Sequence, residues 1–88
     1  MIIGEVVGNL WATRKDDGLN GFKFLVVRRL DCNGEKLDDA IVAVDSVGAG
    51  IGDQVLIVSG SSARYILGDK RPPIDATIVG IVDKLELR

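Results

Sequence analysis

Asp45-Ser46-Val47-Gly48-Ala49-Gly50-Ile51-Gly52-Asp53 joins two apolar runs, Ala40 to Val44 and Gln54 to Val58, and both runs read as buried β-strands. Three glycines at every second position allow the backbone positive φ and let it lie against another surface without intervening side chains. An acidic residue closes each end, so the segment has two acceptors for backbone amides or for a neighbouring cation. Such a loop either cradles a phosphate or forms a thin edge on which another chain packs. The dinucleotide fingerprint is excluded by spacing. It needs G-x-G-x-x-G opening a helix, whereas here the third glycine falls one residue early and a strand follows. A tight connection or an interaction edge remains.

Working outward, the other strands follow from their residue patterns. Ile2 to Leu10 reads as a first strand, kinked or bulged at Gly4 and Gly8. Phe22 to Leu30 is the second, with Phe22, Phe24 and Val26 on one face and Leu25 and Val27 on the other. A small antiparallel sheet standing alone should be polar on one face. Two-sided burial is therefore expected, with the second face against another subunit. Asp31-Cys32-Asn33-Gly34-Glu35 is a turn by its Asn-Gly pair. Ala40 to Val44 and Val55 to Val58, the third and fourth strands, are apolar on both faces. Ser59 to Leu67 holds one or two helical turns, with Ser61 or Ser62 as N-cap and Gly68 as the stop. Lys70-Arg71-Pro72-Pro73 is extended, since a residue before proline avoids the α region. Ile74 to Val82 is the fifth strand, and the alternating tail to Arg88 suits an edge. The expected fold is all-β: a five-stranded, OB-like barrel, closed or nearly so, with one short helix between strands four and five. Residues 1–88 form one domain.

Composition narrows the function. A domain of 88 residues buries only about 60–65% of its unfolded surface. Yet 47% of the chain is apolar and the mean hydropathy is +0.24, more than such a core hides. Self-association covers the surplus most simply. The longest apolar runs fall far short of the ~20 residues that span a bilayer, so a membrane is not the partner. Met1-Ile2-Ile3 passes at once into Gly4-Glu5, which is no signal-peptide pattern. The single cysteine, Cys32, excludes an intrachain disulfide and fits a reducing cytosol. There is no histidine, so the usual acid–base residue and the commonest metal ligand are both missing.

The remaining constellations are weak as sites. Ser61-Ser62 has no G-x-S-x-G context and no histidine to activate a hydroxyl. Asp16-Asp17 and Asp38-Asp39 lack the spaced oxygen ligands of a calcium loop and read as solvated loops. Arg14, Lys15, Arg28, Arg29, Lys70 and Arg71 offer basic charge, but the net charge is −2 and only Trp11, Phe22, Phe24 and Tyr65 are aromatic. A single-strand binder needs a positive groove with stacking platforms, so nucleic acid is not the expected partner. Arg64, early in a short apolar helix, needs a carboxylate or carbonyl partner. Asp45, Asp53 and Asp75 are the candidates, within the chain or across an interface. No catalytic, cofactor-binding or metal-binding residue is assigned. An OB-like nucleic-acid or small-ligand module is the alternative function.

Four blocks together carry a resemblance: Trp11-Ala12-Thr13-Arg14-Lys15, Asp45 to Asp53, Gly60-Ser61-Ser62-Ala63-Arg64, and Ile74 to Asp83. In this order, and end to end, the chain resembles the bacterial microcompartment vertex proteins, the EutN/CcmL family of carboxysomes and metabolosomes. One departure is Asp53, where glutamate is expected. The resemblance implies a cytoplasmic structural protein, not an enzyme: a β-barrel subunit of a cyclic homopentamer at the corners of a polyhedral shell tiled by hexameric shell proteins. It also implies that Gly48, Ala49, Gly50, Ile51, Gly52 and Asp53, with Thr13 and Lys15 beside them, form a shell-contact edge. The competing placement puts this loop at the central pore. Arg64 and Asp45 are the expected inter-subunit residues.

Overall fold

The structure, a computed structural model, describes residues 1–13, 15–67 and 74–84. Five strands close into a barrel in the order β1-β2-β3-β5-β4, with β1 spanning Ile2–Leu10, β2 Phe24–Leu30, β3 Lys36–Asp45, β4 Gln54–Ser59 and β5 Ala76–Ile81. A 3-10 turn, Asp17–Leu19, precedes β2, and one helix, α1 (Ser61–Ile66), lies between β4 and β5. All pairings are antiparallel except β3 with β5. That parallel contact follows from the β3–β4 loop, which crosses the barrel end and places β4 on the far side of β5 from β3. Closure leaves no long apolar edge to recruit another sheet.

Alternation along the strands fills the interior. Leu25 opposes Ala43, and Val27 lies between Val6 and Ile41, with Val55, Ile57 and Ile78 completing the layer. The bulge expected in the first strand lies between Val6 and Gly8, where the β1–β2 register shifts and Val7 turns outward. Gly4 marks a different need. A Cβ there would strike Val27 Cγ1 and come within 2.9 Å of the Arg28 carbonyl oxygen, so only glycine lets β1 and β2 approach this closely.

Several boundaries differ from the sequence reading, each for a local reason. β2 begins at Phe24, because residues 20–21 complete the turn after Leu19. β3 begins at Lys36, so Asp38 and Asp39 are strand residues; Lys36 pairs with Glu5 and Arg29 with Asp39 across the sheet. Asp16 does act in a loop, its carboxylate accepting from the Gly18 amide. Neither Ser61 nor Ser62 caps α1. The N-cap is Gly60 at φ 68°, and both serines lie in the first turn. The Asn33-Gly34 turn forms as expected, with Gly34 at φ 81° and the Asp31 carboxylate accepting from the Asn33 and Glu35 amides. Arg14, Gly68, the Lys70–Pro73 segment and the end of the tail lie outside the described residues.

Candidate functional site: the glycine loop

The loop between β3 and β4 folds back over one end of the barrel. Ala49, only 1% exposed, enters the core cluster beside Val6 and Val55 and acts as a stopper. Gly48 (φ 84°) and Gly52 (φ 94°) take the left-handed backbone that the turns on either side of Ala49 require. Gly50 does not: its φ is ordinary, so the expected positive φ holds for two of the three glycines. Val47, Gly48, Ile51 and Gly52 remain exposed, giving a narrow rim with two apolar side chains on it.

Hydrogen bonds fix this shape at nearly every residue. The Asp45 carboxylate accepts from the Val47 and Gly48 amides (3.0 and 3.1 Å), and the Asp53 carboxylate accepts from the Gly50 amide (2.9 Å). These are the acceptor roles expected for the two terminal acids, and both act within the loop. Ser46 is tied to β5 through its hydroxyl and amide, both donating to the Ile78 carbonyl. Gly52 donates to the Val6 carbonyl and Val6 to that of Asp53, so the far end of the loop continues the β1–β4 ladder. Asp45 is 2% exposed in its side chain. Burial acts to raise its pKa, but amide hydrogen bonds and the Lys23 ammonium outweigh this and hold it below the ordinary carboxylate value.

Lys23 is the residue the sequence reading missed. It lies just before β2, where its carbonyl accepts from the Asp45 amide, one step beyond the Phe24–Val44 pair. From there its ammonium donates to the Ala49 carbonyl at 2.8 Å and sits 3.4 Å from the Asp45 carboxylate. Its partners are remote in sequence, and the only local signal was a lysine between two phenylalanines.

The other expected site residues fall around this rim. Thr13 and Lys15 are exposed in the segment after β1, and the Lys15 ammonium donates to the Ala12 carbonyl. Lys15 and Lys23 line one shallow groove of about 370 Å³ together with Trp11, Phe22 and Phe24. Among the described residues no hydrogen bond or ion pair joins Thr13 or Lys15 to the loop itself. Arg64 is half-buried in the last turn of α1, and its side chain has no ion pair or hydrogen bond among the described residues. Asp45 and Asp53 are already engaged in the loop, whereas Asp75 is exposed.

A closed barrel with a bonded glycine loop at its end matches known proteins along its length. The family model described as ethanolamine utilisation protein EutN/carboxysome matches residues 1–83. The chain belongs to this family. The carboxysome shell vertex protein CcmL of Thermosynechococcus vestitus is 47% identical over 83 residues, which are 94% of this chain and 84% of that protein. Among solved structures, the GrpN pentameric microcompartment shell protein from Rhodospirillum rubrum superposes with a TM-score of 0.90 at 42% identity, covering 100% of this chain and 99% of that one. Gloeobacter violaceus CcmL gives 0.94 at 38% identity, over 99% and 90% of the two chains. The family match and the GrpN superposition both run through the glycine loop.

Proposed function

We propose that this chain is a structural subunit of a bacterial microcompartment shell, with no catalysis of its own. Five copies form a ring that occupies a vertex of the shell in the cytoplasm, and hexameric shell proteins surround it. The observation that carries this reading is the end-to-end likeness, in sequence and in fold, to a pentameric shell protein. The physical logic supports it. A flat hexagonal net cannot close, and five-fold units supply the curvature. A head-to-tail contact that closes after five subunits makes such a unit.

The subunit has surface to spare for that contact. Val7, Leu10, Val42, Ile66 and Ile81 are exposed on the outside of an already closed barrel. The half-buried Phe24 and Val26 add to the outer face of β2. Ring formation would cover part of this surface, and Arg64 would find its carboxylate or carbonyl on the adjacent subunit. In this reading the rim of the glycine loop, with Thr13 and Lys15 nearby, meets the neighbouring shell tiles; at the central pore it would line an opening instead.

Gly50 separates these placements. A Cβ there meets nothing closer than the Asp53 carboxylate at 4.0 Å, so the subunit itself accepts a Cβ at this position. Co-assembly of Gly50→Trp with hexameric shell proteins is expected to leave the mass of the ring unchanged and to abolish closed shells, with Gly50→Ala as the milder control. Closed shells from Gly50→Trp at wild-type yield would remove the loop from the edge.

A further inference from the structure

We propose that Lys23 is a positioning residue for shell assembly, holding the rim of the glycine loop in the one shape that a neighbouring shell tile meets. The proposal rests on the reading of that rim as the contact edge. Three observations carry it. First, the ammonium joins the two ends of the first half of the loop, contacting the Asp45 carboxylate and the Ala49 carbonyl. Between those points lie Val47 and Gly48, half of the exposed rim. Second, Asp45 is 2% exposed in its side chain while that of Lys23 is 53% exposed. The acid therefore depends on the lysine for charge compensation, but the lysine stem fills no core space. Third, among the described residues every other tether of the loop comes from the loop itself or from the barrel backbone. Among the described residues, Lys23 is the one side chain from outside that reaches in.

Loss of the ammonium leaves a buried carboxylate short of its cation and frees the Ala49 carbonyl, so the Val47–Gly48 turn opens more often while the barrel stays intact. Rigid presentation matters at a flat edge contact, because an ordered loop has less entropy to lose on docking.

The test uses the intact ring, with Lys23→Met keeping the stem and Lys23→Arg keeping the charge and donors. Amide hydrogen exchange is read at Gly48 and Gly50, ring mass by native mass spectrometry, and closed-shell yield after co-assembly with hexameric shell proteins. Lys23→Met is expected to exchange roughly tenfold or more faster at these amides, to keep the ring mass, and to lose most closed shells. Lys23→Arg should restore both exchange protection and closure. Unchanged exchange in Lys23→Met would overturn the proposal, as would fast exchange with full closure, or a ring that falls apart. If the wild-type ring closes no shells at all, the vertex reading itself fails, while the exchange measurement still judges whether Lys23 holds the loop.

Discussion

Asp45 shows how one buried charge organises a loop. Its carboxylate is nearly sealed from solvent, yet two amides and one ammonium meet it, so the ionised form is favoured over the acid. Because its pKa in the folded protein lies below the ordinary value, its contribution to stability is fully present above that ordinary value, near pH 4, and is lost as pH falls through the folded value. Asp45→Asn is expected to cost about 1–3 kcal/mol at pH 7. Its stability should also change less than wild type between about pH 5 and pH 2. Urea unfolding at fixed protein concentration across that range checks both statements; equal stability at pH 7 would refute the first, and parallel pH curves for the two proteins the second. Asp39, also held low by its hydrogen bond to Arg29, is exposed, and an exposed pair of this kind adds little.

At the scale of elements, β1 pairs with β2 on one side and β4 on the other, as each strand of the closed barrel has two partners. Gly4 lies where both pairings meet, opposite Arg29 and Val55. Gly4→Ala should therefore destabilise the subunit by about 1–3 kcal/mol, because the Arg28 backbone cannot yield as a flexible side chain would. A melting temperature within a degree of wild type would show that the strands have slack. The same strand explains what was legible in the sequence. Alternating apolar residues and glycines marked β1, the bulge and the all-β class, and the Ser59–Leu67 stretch marked α1 through its serines and the stop at Gly68. The polar start of β3 was hidden, because Lys36 and Asp39 are held by Glu5 and Arg29 on other strands. Lys23 was hidden for the same reason, and the stopper role of Ala49 shows only once the loop folds back. Gly60 displaced the serine caps because its φ of 68° suits glycine alone. Local pattern reveals elements; partners remote in the chain decide their ends and their contacts.

For the whole molecule, the surplus apolar surface inferred from composition proved to be real surface. The barrel fills its interior with Leu25, Ile57, Ile78 and three valines, and still leaves Val42 44% exposed on its outer wall. A closed barrel cannot hide such residues by adding a strand; in the proposed five-fold ring an adjacent subunit would cover them. The most direct test is the mass of the purified protein in solution, by native mass spectrometry at micromolar concentration. A single species at five times the 9.4 kDa chain is the predicted result. A stable monomer, or a uniform ring of any other number, would contradict the account at its centre.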